Sequence, residues 1–277
     1  MGGYFFKMKK ICFILLFLVI VSSCTTKEET EDYNMTSIED LDEKNDIIEK
    51  AQAAVEEIQS MKTITILTQQ FTGESINEET TIQVDNNLLF DPLSSSVHVL
   101  MTTLGQNVEF SMYSNEDATY FTENPNTENE VWQRLPETEH EEIIADYKRT
   151  TSFINYDLLL EHIDELVVND VDDDIEYYEL ILNGDSNIYH QLLTQDHLVD
   201  MAEEQASVDT FSFSIKLEKD TGHLINFDTT MYGTVDFEGE VISLFETMTL
   251  YVEGINIFED EYSLVPVGVE QYIENNE

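Results

Sequence analysis

The feature that most constrains this chain is a succession of strand-like runs separated by hairpin-sized gaps, with no helix between them. From Lys62 the sequence reads "KTITILTQQFTG", "EETTIQVDNNLLF", "SSVHVLMTTLG", "NVEFSMYS", "DATYFTEN" and "EVWQRL". Each run is rich in β-branched and aromatic residues, and clusters of Asn, Asp, Gly, Ser and Pro divide them, as in an antiparallel meander. Val97, Val99 and Met101 share one face of their strand, as do Val108, Phe110 and Met112, which turns an apolar surface to a core. Three long runs close the chain: "VDTFSFSIKLEKDTG", "HLINFDTTMYGTVDFEG" and "VISLFETMTLYVEGINIF". Asp220-Thr221-Gly222 joins the first two as a hairpin turn. Strands that follow one another without βαβ alternation argue against a doubly wound parallel sheet and predict an α+β fold. Such long strands suit a strongly curved antiparallel sheet, with helices covering its concave face, better than a small flat one.

Helical spacing is confined to a few stretches. Asp46 reads as an N-cap, and Ile47, Ala51, Ala54, Val55, Ile58 and Met61 then recur with the period of an amphipathic helix ending at Met61. A second helical stretch runs from about Glu139 to Leu166, with one stripe of Ile143, Ile144 and Tyr147 and another of Leu158, Leu159, Ile163 and Leu166. The run "DIEYYELILNG" returns to strand, and "SNIYHQLLTQDHLVDMAEE" predicts a further helix from about Ser186.

The N-terminus carries a different kind of information. Lys7, Lys9 and Lys10 precede an unbroken apolar run from Ile11 to Val21, followed by the small residues Ser22 and Ser23; this is an export signal. The run falls short of the ~20 residues that span a bilayer as a helix. Met8, ahead of two lysines, also reads as a start. Val21-Ser22-Ser23-Cys24 resembles the bacterial lipobox, in which the cysteine sulfur becomes a thioether to diacylglycerol and the peptide bond before it is cut. Two acyl chains supply the second anchoring signal that one chain lacks. Cys12 lies inside the apolar run and would leave with it, so Cys24 is the one cysteine kept and no disulfide framework is available. The expected organisation is a signal peptide over 1–23, an acidic disordered tether over 24–45 and one α+β domain over 46–277.

Charge narrows the partners. Twelve basic residues against 58 acidic ones give a net charge of −46. Such a surface repels nucleic-acid phosphates and anionic lipid head groups, so nucleic acid is excluded and the domain stands off the membrane that holds its anchor. An acidic surface of this kind suits an extracellular habitat of high salt or high pH, and the alternative is an acidic face for cations or a basic partner.

Three stretches carry a resemblance. The helix ending "AVEEIQSMKTITI", the tryptophan strand "EVWQRL" and the late hairpin "SIKLEKDTGHLINFDTTM", together with the lipobox, are spread over nearly the whole chain. In order and spacing they resemble the carrier fold of the LolA and LppX lipoprotein families, and more nearly uncharacterised lipoproteins of Gram-positive bacteria that share it. The resemblance implies an unclosed barrel whose concave apolar face, lidded by helices, holds acyl chains. Within it, Phe211, Phe213 and Ile215 alternate on one strand and Ile225, Phe227 and Met231 on the next, as candidate lining of a concave cavity. Plain packing is the commoner role of an aromatic stripe in a strand.

Catalytic and metal motifs fail on inspection. No G-x-S-x-G elbow, phosphate-binding loop or dinucleotide glycine set is present. His140-Glu141 begins like a zincin helix, but Ile144 stands where the second histidine is required. Asp170, Asp172, Asp173 and Asp174 suggest calcium, yet Ile175 and Ile181 occupy the glycine and glutamate positions of an EF-hand loop. His190 and His197 share a predicted helix face without a third ligand. No cofactor or metal is expected. The sequence therefore reads as a non-enzymatic, lipid-anchored extracytoplasmic protein that binds a lipid or another apolar ligand. The alternative is a surface sensor or regulator that binds a partner protein through the same fold.

Overall fold

The computed structural model describes residues 34–74, 76–128, 130–149, 154–172, 175–184, 188, 206–237, 240–260 and 264–276. Twelve strands form one antiparallel sheet: β1 (Asn34–Ile38), β2 (Ser60–Thr72), β3 (Asn77–Phe90), β4 (Leu93–Thr103), β5 (Gln106–Asn115), β6 (Thr119–Thr122), β7 (Gln133–Arg134), β8 (Val167–Asp172), β9 (Tyr177–Gly184), β10 (Ala206–Glu218), β11 (Leu224–Phe237) and β12 (Glu240–Ile255). Four helices accompany them among the described residues: α1 (Leu41–Glu56), α2 (Glu137–Arg149), α3 (Tyr156–Glu161) and α4 (Val267–Asn276).

The spatial order is β1-β8-β9-β10-β11-β12-β2-β3-β4-β5-β6-β7. The central seam pairs β12 with β2, from Ile255 opposite Met61 to Ser243 opposite Thr72, and so joins the two ends of the chain in the middle of the sheet. Because β1 and β7 remain separate edges, the curved sheet is not closed into a barrel. This is the α+β arrangement expected from consecutive strands.

Alternation along each strand sends one set of side chains to the concave face. There Leu67 of β2, Ile82 and Val84 of β3, Val97 and Val99 of β4, Phe110 of β5 and Phe213 and Ile215 of β10 share one core with Ile47, Ile48 and Ala51 of α1. Helix α1 therefore fills the hollow of the sheet, and α3 adds Tyr156, Leu158 and Leu159 to the same core. A second cluster lies on the opposite face, where Tyr113, Tyr120 and Trp132 pack under Val269 of α4. A Cβ at Gly268 would stand 2.2 Å from Trp132 Nε1, so only glycine lets α4 settle on the indole.

The folded part begins earlier than the expected boundary at residue 46. Residues 34–38 pair with β8, and the N-cap is Asp40, whose Oδ1 accepts from Asp42 N at 2.9 Å and Glu43 N at 3.2 Å. Asp42 and Glu43 in the first turn complement the positive end of the helix dipole, an assignment that a scan for apolar period misses because this turn is acidic. The helix also stops at Glu56, and Met61, expected as its last residue, already belongs to β2. The stretch expected as one helix from Glu139 to Leu166 is two, α2 and α3, with Asn155 capping α3 through a bond from Leu158 N to its Oδ1 at 3.1 Å. The signal peptide, Cys24, the tether as far as residue 33, His190 and His197 lie outside the described residues.

A candidate apolar cleft at one end of the concave face

The hairpin between β10 and β11 turns back on itself at Glu218, where Glu218 N bonds His223 O at 2.9 Å and Gly222 N bonds Glu218 O at 2.8 Å. Gly222 sits at φ +78°, and a Cβ there would meet Lys50 O at 3.0 Å, so glycine is what lets this turn lie directly on α1. Lys50 Nζ reciprocates by donating to Lys219 O at 2.5 Å. Beyond the C-terminus of α1, Asn256 follows β12 with φ +55°. Its Oδ1 accepts from Gln59 N at 2.6 Å and Ser60 N at 3.2 Å, and its Nδ2 donates to Glu57 O at 3.2 Å. These contacts fix the C-terminal half of α1 at a set distance above the ends of β2, β3 and β12.

Between them lies a cleft of about 620 Å³. Its floor is apolar, with Ala51, Ala54 and Val55 from α1, Met61 from β2, Phe90 from β3 and Leu224 from β11. Alanine at 51 and 54 keeps the underside of the helix shallow, which leaves room that larger side chains would fill. Ile154 and Tyr156 close the side at the start of α3. Burial pushes the Tyr156 phenol well above the ordinary tyrosine range, so it faces the cleft as a neutral group. The rim is polar, and Gln52, Glu56 and Asp157 on it are exposed. The volume falls within the roughly 300–1,000 Å³ of small-molecule sites, and an apolar floor with a few polar groups at the edge is their usual make-up.

Five of the six residues proposed from the sequence lie elsewhere on the same face. Phe211, Phe213, Ile215, Phe227 and Met231 are buried in the main core, with Phe213 6.2 Å from both Phe211 and Phe227 between ring centroids. Ile225 is half-buried beside the register shift between Lys216 and Leu217 of β10. None of the six lines the cleft; their neighbour Leu224 does, and it joins the cleft to the core, as do Ala51, Ile154 and Tyr156. The helix side of the cleft was visible in the sequence only as an ordinary apolar stripe.

Other residues singled out in the sequence have structural partners. His140 of α2 is buried between β5 and β6, its Nδ1 3.0 Å from Thr119 Oγ1 and its Nε2 3.2 Å from Glu116 O. Ile144, at the position a zincin would give to histidine, packs with Leu88 and Leu93. The acidic run expected as a solvated turn is in part the strand β8, and Lys219 Nζ lies 2.6 Å from Asp170 Oδ1 and 2.8 Å from Asp172 Oδ1. A lysine thus stands among these carboxylates. Asp173 and Asp174 lie outside the described residues.

No curated protein matches this chain. Among solved structures it is similar to lipoprotein LppX of Mycobacterium tuberculosis, at 12% identity and a TM-score of 0.39, over 79% of this chain and 98% of that one. It is similar to LprF from Mycobacterium bovis, at 9% identity and a TM-score of 0.43, over 82% and 97%. It is also similar to a putative outer membrane lipoprotein-sorting protein domain from Vibrio parahaemolyticus, at 9% identity and a TM-score of 0.23, over 81% and 97%. Residues 43–260 match the model described as "Family of unknown function (DUF6612)", and the chain belongs to that family.

Proposed function

We propose that the protein is a lipid-anchored extracytoplasmic carrier that holds a lipid or another apolar ligand in the cleft under α1, without catalysing a reaction on it. The observation that supports this reading is the apolar floor itself. Ala51, Ala54, Val55, Met61, Phe90 and Leu224 bound a volume of about 620 Å³ where a curved sheet meets the helix that fills it. Covering that floor with an acyl chain removes apolar surface from water at about 25 cal/mol per Å², which favours occupancy by a chain over water. The N-terminal signal and the lipobox at Cys24 support the location, with diacylglycerol on Cys24 as the link to the membrane.

Native mass spectrometry of the purified protein, followed by solvent extraction, tests the carrier reading. A co-purifying apolar molecule at one per chain, lost in an Ala54→Trp variant that fills the cleft, is the expected result. A chain that is empty and takes up no apolar molecule would refute it and leave the partner-binding alternative. Anchoring is tested separately: Cys24→Ala should release the protein from the membrane fraction or leave its signal uncleaved. Unchanged processing and unchanged membrane association would contradict the lipobox.

A further inference from the structure

The rim of the cleft carries a charge pattern that its floor does not need. Of the residues that bound the cleft, Glu56 near the end of α1 and Asp157 in the first turn of α3 are carboxylates, while Gln52, Asn155 and His223 complete the polar part. None of the described residues that bound it is lysine or arginine. Three cations close in sequence to the bounding residues are turned to other groups. Lys50 Nζ donates to the carbonyl of Lys219, Lys219 Nζ lies against Asp170 and Asp172, and Lys62 pairs with Glu253. Among the described residues, an anionic head group at this mouth would meet two exposed carboxylates and no lysine or arginine, within a protein whose net charge is −46. Like charges brought together in this way raise the cost of binding, and opposite charges lower it.

We infer that the cleft selects amphiphiles by head-group charge and takes those whose apolar chain ends in a positively charged amine or quaternary ammonium. This rests on the carrier reading above and adds the chemistry of the ligand's polar end. The chain lies along Ala51, Ala54 and Leu224, and the cationic head remains at the rim between Glu56 and Asp157. Both carboxylates are exposed, so each contributes modestly. Taken together they favour a cation over an uncharged head group of the same chain length by roughly fivefold, an effect that shrinks as salt is added.

The experiment uses the full chain and three probes with the same twelve-carbon chain, each below its micelle threshold: dodecyltrimethylammonium, monolaurin and dodecanoate (about twelve carbons keeps all three within a cleft of this size class). Titration calorimetry should rank the cation first, the neutral ester next and the carboxylate last. Glu56→Gln with Asp157→Asn should bring cation and neutral ester to equal affinity while leaving the neutral ester's own affinity as it was. That double variant barely alters the large net charge of the whole protein, so a preference that survives it comes from the overall field and overturns the assignment to the rim. Dodecanoate binding as well as the cation overturns the inference and leaves the carrier reading standing. Binding of none of the three removes the cleft as an apolar site, and both readings fall.

Discussion

Replacing Phe213 by alanine separates a packed wall from an open hollow. Phe213 is 1% exposed on β10, opposite Thr229 of β11 and Leu182 of β9, with the rings of Phe211 and Phe227 each 6.2 Å away. Truncating a phenylalanine in such surroundings costs about 3–5 kcal/mol, transfer and cavity terms together. Its two ring contacts place Phe213 in the upper half of that range, near 4 kcal/mol. Total stabilities run to about 5–15 kcal/mol, so the variant should stay folded but marginally so. With a urea slope of about 2.5 kcal/mol per molar, the midpoint should fall by about 1.5 M. Phe90→Ala, at the half-buried floor of the cleft, should cost about 1 kcal/mol, because part of that ring is already in contact with water. Urea unfolding followed by tryptophan fluorescence measures both. A loss below about 1.5 kcal/mol for Phe213→Ala would refute the packed wall and mean that solvent reaches the β10–β11 stripe.

Three further outcomes follow from local geometry. Asn256→Gly keeps the left-handed backbone but loses three hydrogen bonds at a solvent-exposed corner, and should cost about 1–2 kcal/mol; Asn256→Ala adds the strain of φ +55° and should cost about 1 kcal/mol more, both read from urea midpoints. Burial pushes the Asp228 carboxyl up, and the hydrogen bond from Thr249 Oγ1 at 2.8 Å and nearby Lys216 offset this only in part. A carboxyl raised on folding favours the fold while protonated and disfavours it once ionised. Asp228→Asn should therefore match the wild type in acid below about pH 4 and become the more stable of the two as pH rises to neutral, by thermal unfolding across pH. The Asp170 and Asp172 carboxylates hold the Lys219 ammonium well above the ordinary lysine range, with the side chain 13% exposed. A base raised on folding stabilises fully below its unfolded value, so Lys219→Met should lower stability by a constant amount of about 1 kcal/mol from pH 6 to 9. That difference should close only in strong alkali; one that varied across the neutral range would contradict the assignment.

Most strands were legible in the sequence because their period of two is unbroken over many residues. Runs such as Thr63–Leu67 and Val97–Met101 alternate strictly, and the Asp220-Thr221-Gly222 turn stands where expected. The elements that sequence reading missed lack that regularity. β1, "NMTSI", lies inside an acidic stretch, and its partner β8, "VVNDVD", mixes valines with carboxylates that Lys219, distant in sequence, pairs with. Helix α4 packs Val269, Tyr272 and Ile273 on the face opposite α1, a placement set by Tyr113 and Tyr120 and not by its own pattern. The cleft was hidden for a related reason. Its floor is assembled from the ends of β2, β3, β11 and β12 and from two alanines, and a cleft left by small residues gives no signal until the elements around it are placed. The aromatic stripe drew attention because large side chains are conspicuous, yet large side chains fill space and do not leave it.

The central claim, that the space under α1 takes an apolar ligand, is tested most directly by methyl NMR during titration with monolaurin. The claim predicts saturable shifts at Ala51, Ala54, Val55, Met61 and Leu224, with Ile215 and Val99 in the core unmoved. Shifts confined to methyls outside the cleft, or none at any concentration below the micelle threshold, would contradict it.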